Sequence, residues 1–277
     1  MVGTKLEKIL AKNNLTESEA AKILSGLGNG SPKQYETRRI PFSAPRVRFT
    51  VISDTHMGHN CYRPDILKNA VKTSEKFGSE FWLHAGDILE GMSGREGHVY
   101  ELSHLGATEQ LRYATEQLAQ IKKPIYAITA TDSHDGWYHS KNNAGFEVGP
   151  ELERRLPNFN FLGYDEADLK LDNGLKIRLL HPGAGTAYAL SYKGQKYLNS
   201  ISGGQKPDIA FQGHYHKAMY MFYRNVHFFD AGTLEAQTKF MKKIGTPAMM
   251  GYWLMDVRGG KNGVEAITPT FVPFYEK

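Results

Sequence analysis

Apolar residues in this chain come in short runs, several of which end on a residue able to do chemistry. Residues 48–53 lead into Asp54, 81–85 into Gly86-Asp87, 176–180 into His181, and 209–212 into Gly213-His214. Short apolar runs bounded by Gly and polar residues read as strands. Between them lie segments with helical spacing. Pro64 opens one whose face is Leu67, Ala70, Val71 and Ser74, with Gly78 as its stop. Thr108 caps a second carrying Leu111, Ala114, Leu118 and Ile121. A further strand is expected at 124–129 and a helix at 147–156. Asn173-Gly174 between two alternating stretches signals a hairpin. Arg224-Asn225 is read as another strand connection, and the chain from Met250 onward as strand, Gly-rich turn, strand. Strand–helix alternation followed by hairpins predicts an α/β fold of two mixed sheets packed as a sandwich and flanked by helices.

The first residues follow a different pattern. Residues 4–27 read as two short helices, with Leu6, Ile9 and Leu10 on one face and a capping-box signature at Thr16-x-x-Glu19. Gly28, Gly30, Pro32, Pro41 and Pro45 then mark a linker. The expected division is a helical appendage at 1–27, a linker at 28–45 and the main domain at 46–277. The helix pair resembles the first half of a helix-turn-helix, but no third helix fits before Pro41. DNA binding and a packing arm both remain open for it.

Composition narrows the class. With 277 residues and 40% hydrophobic content, the chain suits one full domain plus a small appendage. No apolar run approaches the roughly 20 residues a membrane span needs, and the N-terminus has no apolar signal-peptide core. Cys61 is the only cysteine, so no intrachain disulfide can form, and its bland reading is a small buried filler. A reducing, cytoplasmic setting is the expectation. Net charge is +5; residues 1–45 carry seven Lys/Arg and four Asp/Glu, or +3 of it, leaving the remainder near neutral. This balance is compatible with nucleic acid without demanding it.

The polar residues at the strand ends run in the order Asp54-x-His56, Asp87, His181, His214-x-His216. They describe an oxygen-and-imidazole cage large enough for two metal ions, with no thiolate for a closed structural zinc site. Together with Ser53-Asp54-Thr55-His56-Met57-Gly58, Gly86-Asp87-Ile88-Leu89-Glu90, Asp132-Ser133-His134-Asp135, Leu180-His181 and Gly213-His214-Tyr215-His216, this order resembles the calcineurin-like metallophosphoesterase superfamily.

That resemblance implies a phosphoesterase with two divalent ions, Mn²⁺ preferred and Fe, Zn, Ni or Mg also compatible. It implies Asp87 as the bridge, with Asp54, His56 and His216 at the first ion and Ser133, His181 and His214 at the second. An in-line attack by a metal-bridging hydroxide is the implied mechanism. The chain departs from the family at Ser133, where an Asn is usual; a hydroxyl is shorter and a poorer ligand. His134 matches the histidine that faces the leaving group, and Asp135 is read as orienting it. His84 is read as structural. Trp137, Tyr138 and Tyr215 could stack a base or pack at the rim, and His98, His104 and His139 lie in loops near the site. Nucleic acid is the leading substrate. A phosphomonoesterase or small-molecule phosphodiesterase, and a non-catalytic scaffold, are the competing readings.

Overall fold

In the computed structural model the described residues are 16, 36–138, 145–183, 185–260 and 263–275. The helical appendage expected at 1–27 lies outside them except for Thr16, and His139 lies outside them too.

Two six-stranded mixed sheets form the centre of the unit that begins at Glu36. The strands are β1 (Glu36–Ile40), β2 (Arg46–Ile52), β3 (Phe81–Ala85), β4 (Ile125–Thr129), β5 (Phe159–Tyr164), β6 (Glu166–Leu171), β7 (Lys176–Leu180), β8 (Ile209–Gln212), β9 (Ala218–Tyr223), β10 (Val226–Ala231), β11 (Gly251–Gly260) and β12 (Gly263–Pro273). One sheet has the order β12-β11-β2-β3-β4-β5, the other β1-β6-β7-β8-β10-β9. In the first, β2 to β5 are parallel, while β11 runs antiparallel to both β2 and β12. In the second, β7, β8 and β10 are parallel, as are β1 and β6.

The helices are α1 (Pro64–Phe77), α2 (Gly106–Leu118), α3 (Val148–Arg155), α4 (Tyr192–Ser200) and α5 (Lys239–Lys243), with a helical turn at His134–Gly136. α1 starts at Pro64 and stops at Gly78 in the left-handed conformation, where Pro and Gly place it. α2 begins at Gly106, two residues before the expected cap at Thr108, with Ile121 just past its end.

Burial follows the layers. Val47, Phe49, Val51, Leu83 and Ile128 meet Leu169, Ile177, Leu179, Phe211 and Phe229 between the sheets. On the outer face of the first sheet, Trp82, Ile125 and Ala127 pack on Ile66, Leu67, Leu111, Leu118 and Leu152 of α1 to α3. On the outer face of the second, Ala210 and Phe228 pack on Leu198 of α4. Each fully buried large apolar side chain contributes roughly 1.5–3 kcal/mol. The three layers of contact therefore hold the strand ends in fixed positions.

Within the stretch read as linker, Glu36–Ile40 forms an edge strand, parallel to β6. Thr37, Arg38 and Arg39 are exposed and only Ile40 is buried, so the segment lacks the alternation that would mark it as a strand. No helix among the described residues is long and apolar enough to cross a membrane.

Candidate metal centre

Five parallel-paired strands, β2, β3, β4, β7 and β8, deliver their C-terminal ends to one edge of the sandwich, where ligand sites form in sheets covered by helices. The loops after β2 and β3 stay zipped together. The amide of Asp54 donates to Gly86 O at 3.0 Å, that of His56 to Asp87 O at 3.1 Å, and that of Met57 to Ile88 O at 2.9 Å. Two glycines make the approach between loops feasible. A Cβ at Gly86, whose φ is +95°, would sit 2.4 Å from His181 Nδ1. A Cβ at Gly213 would sit 2.4 Å from Ser53 Oγ and 2.9 Å from Asp54 Oδ2.

The backbone is strained at the candidate ligands. Among the described residues, eight non-glycine positions have positive φ, and five of them are Asp54 (48°), His56 (47°), Asp87 (53°), His214 (78°) and His216 (52°). Left-handed backbone is costly for such residues and persists where surrounding structure over-determines it. Here it turns successive side chains into a common space.

Two triads result. Donor atoms of Asp54, His56 and His216 lie within 4.8 Å of one another, as do those of Asp87, His181 and His214. In the first, His56 Nε2 and His216 Nε2 face each other at 3.0 Å, and His216 Nε2 is 3.5 Å from Asp54 Oδ1. His56 Nδ1 meets Glu90 Oε2 at 2.8 Å, which leaves Nε2 as the atom it could offer a metal ion. In the second, His181 Nδ1 donates to Ala85 O at 2.7 Å and its Nε2 lies 3.0 Å from Asp87 Oδ2. Ser133 Oγ donates to Asp87 Oδ1 at 2.7 Å, so the serine at the family's Asn position sits beside the carboxylate read as the bridge.

These residues fit metal ions on the strength of their own incomplete partnerships. Asp54 Oδ2 and His181 Nε2 are buried without a hydrogen bond. Burial pushes the Asp54 carboxyl up to about 6, with Asp87 adding to the rise while His181 and His56 oppose it. For Asp87, burial also pushes upward, but His181, His134 and His56 outweigh it and hold the carboxyl well below its usual range. For His216, burial and then His56 and His134 hold the imidazole well below its ordinary value, leaving it neutral as a ligand must be.

The chain is an α/β sandwich of two mixed sheets, and its ligand order resembles that of the calcineurin-like metallophosphoesterases. No protein-family model matches it. It is similar to the DNA polymerase II small subunit of Archaeoglobus fulgidus, 26% identical over 197 residues, which cover 60% of this chain and 40% of that one. It is also similar to the DNA polymerase II small subunit of Methanothermobacter thermautotrophicus, 24% identical over 236 residues, covering 69% of this chain and 48% of that one. The chain thus spans less than half the length of these relatives. Among solved structures, an archaeal phosphodiesterase aligns with a TM-score of 0.44 and 12% identity, covering 82% of this chain and all of that one.

The candidate site opens into a cavity of about 700 Å³. His56, Asp87, Ser133, His134, His214 and His216 line it. His134 is a quarter exposed, with Nε2 4.0 Å from Asp87 Oδ2 and Nδ1 2.9 Å from Glu90 O and 3.2 Å from Glu90 Oε2. Burial pulls its imidazole down, but Glu90 and Asp87 outweigh that and push it up to about 10. Trp137 packs on the His134 ring at 4.2 Å.

Three expected roles need correction. Asp135 does not orient His134; its carboxylate accepts the amides of Ile88 at 3.0 Å and Leu89 at 2.8 Å, fixing the turn after Asp87. The turn that exposes His134 points the next side chain the other way. Tyr138 is 4% exposed and packs against Phe146 rather than lining the cavity. His104 stacks on Tyr113 at 4.0 Å, also away from the cavity lining. Trp137, Tyr215 and His98 do line it. His84 is fully buried, with Nε2 3.1 Å from Thr55 Oγ1, and burial then His181 push it down to about 3. Cys61 is half-buried.

Two carboxylates escaped the sequence reading. Glu90 contacts three histidines: His56, His134, and His98 through Nε2 at 2.7 Å. Its position three residues after Asp87 on the same turn is a signal that could have found it. Glu235 also lines the cavity, on a loop with no motif to mark it.

Stability should follow metal. Ions that bind only the folded chain stabilise it by about 2.7 kcal/mol per site at a hundred times Kd. Chelation is expected to lower the melting temperature and Mn²⁺ to restore it. Calorimetric melting with and without metal checks this, and identical curves would contradict the fit.

Proposed function

We propose that this chain is a two-metal phosphodiesterase acting on nucleic acid, with Mn²⁺ as the preferred ion. The observation that carries the reading is the pair of buried ligand triads, four of whose six members line the cavity, with the quarter-exposed His134 beside them. Asp54, His56 and His216 would hold one ion; Asp87, His181 and His214 would hold the other, with Asp87 shared and Ser133 beside it. When bound, the ions neutralise charge on phosphoryl oxygens and lower the pKa of water.

The chain's own groups supply the rest. Glu90 fixes His134 through Nδ1, leaving Nε2 to face the cavity and give a proton to the departing oxygen. Glu90 also orients His56, so one carboxylate sets both a ligand and the acid. Trp137 and Tyr215 offer aromatic surface beside the reacting phosphate, suited to a nucleobase. The net charge of +5 and the two DNA polymerase small subunits among the relatives support nucleic acid over a free phosphate ester. Those same names favour a second reading in which the chain also acts as a subunit of a larger assembly.

Metal-stripped protein assayed with Mn²⁺ on an artificial diester, an artificial monoester and labelled DNA tests the reading. Hydrolysis of the diester and DNA only with metal is expected. A preference for the monoester would turn the assignment to a phosphomonoesterase, and turnover unaffected by chelation would reject metal dependence.

A further inference from the structure

Glu235 is a buried carboxylate whose surroundings leave it short of a partner. It follows β10, is 2% exposed and faces the cavity. Its loop is pinned to the first triad: Thr233 Oγ1 donates to Asp54 O at 2.8 Å and the Leu234 amide donates to the same oxygen at 3.2 Å. Glu235 Oε1 lies 2.9 Å from His59 Nδ1. That nitrogen already accepts the Cys61 amide at 3.0 Å, and one ring nitrogen does not accept one hydrogen bond while donating another. Oε1 therefore has no hydrogen bond. A carboxylate oxygen kept out of water without a hydrogen bond is costly.

The other oxygen points toward the first triad. Glu235 Oε2 lies 4.0 Å from His56 Nε2; its 3.8 Å approach to His216 is to Nδ1, the ring nitrogen opposite the one that faces His56. His56 Nε2 is the nitrogen it could offer an ion, since Nδ1 is engaged by Glu90. Two donors, each about 2.1 Å from a common ion, stand at most roughly 4.2 Å apart. Oε2 is thus within coordination reach of the ion that His56 would bind.

We propose that Glu235 is a ligand of the first ion, a second carboxylate added to Asp54, His56 and His216. The inference rests on the two-ion reading above. It gives the first position a harder, more oxygen-rich donor set, which favours Mn²⁺ or Fe²⁺ relative to a site with Asp54 as its only unshared carboxylate.

Glu235→Gln keeps the shape and removes the charge. Calorimetric titration with Mn²⁺ should show one of two sites weakened by at least about tenfold, the loss typical of disturbing even an outer partner, with the other site unchanged. His59→Gln should retain both affinities, because the imidazole is a neighbour of Glu235 and not its route to the ion. Equal weakening by the two variants would make Glu235 a tether for His59 and overturn the proposal, as would full Mn²⁺ affinity in Glu235→Gln. Anomalous diffraction from Mn²⁺-loaded wild-type crystals tests the point without a variant: Glu235 within about 2.5 Å of the first ion is expected, and a Glu235 carboxylate out of contact with any ion overturns it. Wild-type protein that takes up no ion would reject the two-ion reading itself; wild type with two ions and an indifferent Glu235 would reject this proposal alone.

Discussion

Asp87→Ala is expected to empty both metal positions and take hydrolysis of an artificial diester to background. Asp87 belongs to the second triad and lies 3.0 Å from His181 Nε2, and its other oxygen accepts Ser133 Oγ at 2.7 Å. In the proposed arrangement it is the carboxylate both ions share. Removing an outer partner of a metal ligand costs roughly 10–100-fold in affinity. Losing a shared ligand should exceed that at each site, so the loss is more than about a hundredfold twice over. Elemental analysis of the purified variant, with a metal titration, measures it. One ion retained at wild-type affinity would show that Asp87 serves a single position.

His134→Ala should behave in the opposite way, keeping its metal and losing turnover by about 10²–10⁴, the usual effect of a positioned acid. Its Nε2 stands 4.0 Å from Asp87, outside contact with the carboxylate, while Nδ1 is held by Glu90. It is also more exposed than His56 or His181, whose side chains are 1% and 0% accessible, against 24% for His134. Kinetics on a diester with a good leaving group separate the roles, since such a substrate needs little protonation and should be rescued in part. A variant that loses metal along with activity would place His134 among the ligands.

Much of this site was legible because a strand end is an address. A run such as 81–85 followed by Gly86-Asp87 fixes both the direction of the strand and the place of the carboxylate. The same logic located Asp54, His181 and His214, and helix stops such as Gly78 framed them. What escaped has physical reasons. β1 carries Arg38 and Arg39 at a sheet edge, where exposure erases alternation. Asp135 adjoins His134 in sequence, yet one helical turn sends it to the Ile88 and Leu89 amides instead. Tyr138 and His104 sit near motif residues along the chain, but proximity in sequence does not say which face a side chain takes. Glu235 reaches the site only because its loop is tied to the Asp54 carbonyl, a contact across 179 residues of sequence that no local spacing encodes.

The triads draw their members from both layers of the sandwich: Asp54, His56 and Asp87 follow β2 and β3, and His181, His214 and His216 follow β7 and β8. Each triad therefore straddles the seam, where Phe49, Phe211 and Phe229 set the separation of the sheets. An ion held there acts as a gauge of that separation. By thermodynamic reciprocity, anything that favours one spacing of the layers changes ion affinity by the same factor that ion binding changes the spacing equilibrium. A cavity opened at Phe211, hydrostatic pressure, or a molecule seated along the edge strand β9 would then be readable as a shift in Mn²⁺ affinity, at a distance from every ligand.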